Sequence, residues 1–255
     1  MYNTIQQIIL TKPLTTANTL LQSLKTLGMR VLSFPTLEIA PLPEVETYFQ
    51  RFGPSFFDIA LFISPTAVQY AIQLCHLNSL DWAQTPCIAQ GPGTAKALKN
   101  YGFQNILFPE KEYTSESVLA LPILNEVHRL NIAIFKGLNG RGLLTSQLSQ
   151  RGATVIEFNC YERHCPQTSL NLSQPTIPPE NTLFIVTSAA ALENLALLLD
   201  FAHSPPPFKW SKCHLLVIHD KMRQLARNLG HKGEIDCADN ASDEAIITCI
   251  QTLGC

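Results

Sequence analysis

Residues 131–166 read NIAIFKGLNGRGLLTSQLSQRGATVIEFNCYERHCP. The apolar run Ile132 to Phe135 has the length and composition of a buried strand, and a glycine-rich basic turn, Lys136 to Gly142, follows it. Leu144 and Leu148 stand four apart on a helix that Gly152 closes, and Thr154 to Phe158 forms a second strand running into Tyr161-Glu162-Arg163. Strand, turn, helix, glycine, strand is a βαβ unit. Its polar residues fall at the C-terminal ends of strands, where α/β proteins place their sites.

The same order of features occurs near the N-terminus. Ile8 to Leu10 reads as a strand, and Thr11-Lys12-Pro13 as the turn. Ala17, Leu20, Leu21, Leu24 and Leu27 form a helical stripe that Gly28 ends, before the strand Val31 to Pro35. Lys12 and Lys136 are 124 residues apart, as are Gly28 and Gly152 (136 less 12, 152 less 28). Ser64 and Ser188 keep that offset at two further strand-to-helix turns, and Glu116 and Glu244 follow at 128. Four such matches in one order point to duplication of a unit of four βα steps.

With 255 residues, 46% hydrophobic and 15% charged, the chain suits two compact α/β domains with buried parallel sheets. A net charge of −2 excludes a global basic field for nucleic acid or membrane surfaces. The start, Met1 to Gln7, lacks a basic leader, and no apolar run approaches the roughly 18 residues of a membrane span. A cytoplasmic, soluble protein acting as a monomer is expected. The eight cysteines form no CxxC pair, and Cys160, His164 and Cys165 match no ligand spacing, so free thiols and no metal are expected.

Each strand-to-helix turn has two readings. Ser64, ahead of Pro65, and Ser188 are natural N-caps; the same helix ends offer N–H donors and a positive dipole to an anion. Gly91-Pro92-Gly93-Thr94 lacks the patterns of dinucleotide and ATP loops and fits a carboxylate cradle better. Lys12 is either a solvated turn residue or a cation at a strand end. In the second copy, His219-Asp220-Lys221 takes the place of the Gly-Pro-Gly-Thr turn, with Asp220 read as the helix cap. The proline-punctuated segment Phe34 to Pro43 and its counterpart Asn159 to Pro166 read as extended linkers, two crossings between domains with a cleft at the crossing. Thr168 to Asn181 and Ser204 to Pro207 read as loops. No nucleophile–base pair or carboxylate dyad stands out.

These residues carry a resemblance that spans essentially the whole chain. Lys136-Gly137-x-x-Gly140-Arg141-x-Leu143-Leu144, Arg151-Gly152-Ala153-x-Val155 and Tyr161-x-Arg163 are its most specific parts. Phe34-Pro35-x-Leu37-Glu38, Phe62-Ile63-Ser64-Pro65, Gly91-x-Gly93-Thr94 and Val186-Thr187-Ser188 support it. The chain resembles the uroporphyrinogen-III synthase family. The resemblance implies two doubly wound parallel-sheet α/β domains from an internal duplication, joined by two extended linkers around a cleft. Residues 1–35 and 168–255 would form one domain and 41–159 the other, with linkers at 36–40 and 160–167. It also implies a lyase that cyclises hydroxymethylbilane through a spiro intermediate, in tetrapyrrole and heme biosynthesis, without a cofactor. Tyr161 then corresponds to the family's active-site tyrosine. Lys12, Ser64, Thr94, Lys136, Arg141, Ser188 and Lys221 become candidates for holding the substrate's carboxylates, although Arg141 could instead cap its own domain. His219-Asp220-Lys221 departs from the small hydroxyl-bearing turn of many relatives, and Lys221 is the candidate replacement. A non-catalytic module binding an anionic metabolite is the alternative.

Overall fold

The computed structural model describes residues 5–77, 81–82, 84–140, 142–167, 177–200 and 210–253. The expected loop Ser204 to Pro207 and most of the loop expected over Thr168 to Asn181 lie outside these residues, as does the Arg141 candidate. The chain divides into two compact units, Met1–Glu38 with His164–Cys255, and Ile39–Arg163.

In the first unit, β1 (Gln7–Leu10), α1 (Leu14–Thr26) and β2 (Val31–Ser33) form the N-terminal βαβ step. The same unit holds β9 (Thr182–Ile185), α7 (Ala189–Asp200), β10 (His214–Val217), α8 (Asp220–Asn228), β11 (Ile235–Cys237) and α9 (Asp243–Thr252). The sheet order is β11-β10-β9-β1-β2, with parallel pairing throughout. Successive side chains of β1 go to opposite faces: Ile9 joins a core with α7 and α8, and Ile8 and Leu10 one with α1 and α9.

The second unit begins with β3 (Glu38–Pro41) and α2 (Glu44–Phe49), a helix the sequence did not announce. It continues with β4 (Ile59–Phe62), α3 (Pro65–Cys75), β5 (Cys87–Ala89), α4 (Pro92–Asn100), β6 (Ile106–Leu107) and α5 (Ser115–Leu119). It ends with β7 (Asn131–Gly137), α6 (Leu143–Gln150) and β8 (Thr154–His164). The order β6-β5-β4-β7-β8 repeats that of the first unit, with β3 added outside β8. Helices cover both faces, so strand after strand is apolar on both sides, as parallel sheets require. Phe62, Phe135 and Phe158, from three neighbouring strands, stack with centroids 4.8 and 5.1 Å apart. Each such pair adds roughly 0.5–1.5 kcal/mol beyond its buried area.

Local chemistry explains the helix ends. Gly152 sits at φ +89° after α6, and a Cβ there would meet the His128 ring at 2.4 Å. Ser64 and Ser188 accept the amides of Ala67 and Ala191, capping α3 and α7. Residues 159–164 continue β8, and β3 joins the same sheet, so much of both expected extended linkers is strand. Thr114 caps α5. One sequence reading changes. His219, not Asp220, caps α8, its Nδ1 accepting the Met222 amide at 3.3 Å.

Candidate functional site

The candidate site lies in the second unit, where β4 and β7 end and where β8 departs from regular pairing. β7 and β8 run in register from Asn131 opposite Thr154 to Lys136 opposite Asn159. Gly137 then stands opposite Tyr161, so the register slips by one residue. Strict alternation would send Cys160 and Tyr161 to opposite faces. With the bulge, Phe158, Cys160 and Tyr161 all join one core, beneath α3.

Tyr161 is thereby held from several directions. Its hydroxyl lies 3.1 Å from Ser64 Oγ. Its ring lies 6.0 Å from that of Tyr70, and the Arg163 guanidinium stands 5.7 Å from its centroid. Its carbonyl accepts the Leu138 amide at 2.8 Å. A Cβ on Gly137 would come within 2.8 Å of two ring carbons, so only glycine lets the ring lie across β7. Only 5% of the residue is exposed.

Two cavities open here. One, of about 280 Å³, is lined by Ser64, Gln90, Gly137, Tyr161 and Arg163 among others. The other, of about 270 Å³, lies against Tyr113, Leu144, Thr145 and Glu157. Ile63, Gln90, Lys136 and Gly140 border both. The Lys136 Nζ donates to Glu157 Oε2 at 3.0 Å and to the Gly140 carbonyl at 3.3 Å, and Thr145 bonds the other Glu157 oxygen. Lys136 therefore carries no uncompensated charge into either cavity. Arg163 is exposed and has no carboxylate partner among the described residues.

The remaining candidates are placed as follows. Thr94 is buried in the first turn of α4 and lines neither cavity. In the first unit, the Lys12 Nζ donates to Asp243 Oδ1 at 3.0 Å and to the Ala241 carbonyl at 3.4 Å. Ser188 is a half-buried cap, and Lys221 is exposed in the first turn of α8. The structure thus brings together Ser64, Lys136 and Tyr161. It adds Gly137, Gln90 and Arg163, of which Gly137 and Arg163 were visible only as motif positions. Among the described residues no group of three His, Cys, Asp or Glu side chains could hold a metal ion.

A family model described as uroporphyrinogen-III synthase HemD matches residues 18–247. Uroporphyrinogen-III synthase of Escherichia coli (strain K12) is 31% identical over 255 residues, covering 96% of this chain and 99% of the relative. The Salmonella typhimurium (strain LT2) enzyme of the same name is 30% identical, with the same coverage. Among solved structures, a mutant uroporphyrinogen III synthase from Thermus thermophilus aligns with a TM-score of 0.62 at 18% identity, over 97% of this chain and 98% of that one. A uroporphyrinogen-III synthetase from Helicobacter pylori 26695 gives 0.62 at 17% identity, over 97% and 99%. At such identities these two likenesses speak for the fold.

Proposed function

The chain belongs to the uroporphyrinogen-III synthase family, and on that premise we propose that it closes hydroxymethylbilane, a linear tetrapyrrole bearing carboxylates on every ring, into uroporphyrinogen III. It is an enzyme of the cyclising lyase type. The observation that carries the residue assignment is the Tyr161 hydroxyl, paired with Ser64 on the wall of a cavity that Arg163 also lines.

Tyr161 is the proposed catalytic residue. Its proton goes to the terminal hydroxyl as the carbon–oxygen bond breaks, and the oxygen leaves as water with the bonding pair. The pyrrole nitrogen supplies electrons to the vacated carbon, giving an azafulvenium. The substituted carbon of the last ring attacks it; the spiro intermediate breaks and recloses with that ring inverted. The proton lost as the ring regains aromaticity returns to the phenolate. General acid assistance of this kind is worth a factor of about 10²–10⁴.

Arg163 is proposed to draw the substrate's carboxylates, because no carboxylate among the described residues compensates its charge, whereas Lys12 and Lys136 already face Asp243 and Glu157. Those two lysines are proposed to shape their turns and to offer remaining N–H donors. Ser188, Thr94 and Lys221 are proposed further contacts at helix starts. Tyr161, Ser64 and Arg163 come from one unit of one chain, which supports a monomer as the working form. Buried free thiols at Cys75, Cys87 and Cys160 support a reducing cytoplasm.

The test is to give the purified protein hydroxymethylbilane and determine ring order in the product. Isomer III is expected. Isomer I alone, the product of spontaneous closure, would overturn the proposal and favour a binding module.

A further inference from the structure

Ser64 was a candidate for holding a substrate carboxylate. The geometry points to a different role, and we infer that Ser64 is a positioning residue that orients the Tyr161 hydroxyl, so that the phenol proton faces the cavity. This inference rests on Tyr161 being the acid of the proposed reaction.

A serine hydroxyl has one proton and two lone pairs. One lone pair of Ser64 Oγ is occupied by the Ala67 amide at 3.0 Å. The phenol oxygen of Tyr161 lies 3.1 Å away, and either oxygen could donate across that gap. Two effects decide the direction. The N-terminus of α3 places positive potential on Ser64 Oγ, which disfavours a second proton pointing at it. An oxygen that already accepts a hydrogen bond is also a stronger donor of its own proton. The chain of bonds therefore runs from the Ala67 amide to Ser64 Oγ, and from the Ser64 hydroxyl to Tyr161 Oη. The Tyr161 proton is left without an acceptor among the described residues, on the side where the cavity lies.

The surroundings keep that direction. The bulge puts Tyr161 on the α3 face of the sheet, and Gly137 leaves room for the ring to reach the helix end. The Tyr70 ring at 6.0 Å limits tilting. When the phenol has given up its proton, the Ser64 hydroxyl is already aimed at the phenolate. The same group that orients the acid thus stabilises its conjugate base, and no reorganisation is needed during the step.

A residue that acts through Tyr161 has a signature that a substrate contact lacks. Ser64→Ala is expected to lower kcat by about 10- to 100-fold with KM changed less than about twofold, since a mispointed acid loses part of its effect. In a Tyr161→Phe background the same change is expected to cost less than about twofold, because the two residues form one unit. Ser64→Thr keeps both the cap and the donor and is expected to restore most of kcat, which separates orientation from a loss of folding. Ring order in the residual product should remain that of isomer III. A Ser64→Ala enzyme whose KM rises while kcat holds would overturn the inference and return Ser64 to substrate binding. Equal fold-losses in the parent and Tyr161→Phe backgrounds would overturn it too, leaving the tyrosine's role intact. A Tyr161→Phe enzyme as fast as the parent would remove the tyrosine's role and this inference together.

Discussion

The two units share one sheet order, and their equivalent turns repeat two devices. A serine caps the helix after β9 in the first unit and after β4 in the second. A lysine just beyond β1, or at the end of β7, is neutralised by a carboxylate of its own unit. The strands at the next position differ. β2 has three residues and stops before Phe34-Pro35, where proline cannot donate to a ladder. β8 has eleven, passes through a bulge and continues to His164. Only the long strand carries a tyrosine back to its capping serine. On the proposed assignment, the extension of one strand is what brings the acid to one end of one unit.

The sharpest way to break this comparison is Tyr161→Phe, which keeps the ring and removes the hydroxyl. Turnover should fall by a factor of about 10²–10⁴ at nearly constant melting temperature, measured by product formation and thermal unfolding. A fast variant would leave the two units alike.

Gly137→Ala comes next. The added methyl would meet ring carbons at 2.8 Å and push the phenol off Ser64. A loss of turnover of roughly 10-fold or more is expected, with a stability cost of about 1–3 kcal/mol from overpacking. Adding Tyr161→Ala should restore stability and leave activity low.

The first unit has its own sensitivity. Burial, helped by the charge of Arg227, pushes His231 down to about 4 from its ordinary 6.5, though backbone groups of Glu234 and Trp210 oppose the shift. The folded state therefore binds this proton less readily than the unfolded one. Stability from this source is complete above pH 6.5 and is lost as pH falls toward 4, by on the order of 2–3 kcal/mol. Trp210 stacks on His231 at 5.2 Å, while Trp82 lies in the second unit, so fluorescence of a Trp82→Phe protein follows the first unit alone. Denaturant midpoints between pH 7 and 5 should fall, and His231→Phe should flatten that slope.

The smallest effect compares the two caps. Ser188→Ala and Ser64→Ala each remove one cap worth about 1 kcal/mol, so their melting temperatures should drop alike. Only Ser64→Ala should lower kcat; an equal loss in both would place the Ser188 turn in the chemistry as well.

Much of this was legible in the sequence because it depends on near neighbours. Ser64 ahead of Pro65, the glycines after α1 and α6, and apolar runs of strand length fix caps, helix ends and buried strands within a few residues. The motif Tyr161-x-Arg163 was legible only through the family resemblance. The tertiary structure alone decided which face Tyr161 takes, because period-two alternation reverses at a bulge that only the pairing of β8 with β7 creates. It also decided the lysines. Lys12 meets Asp243 across 231 positions of sequence and Lys136 meets Glu157 across 21, and a charge is free or compensated according to strand order and register, not to its neighbours in the chain.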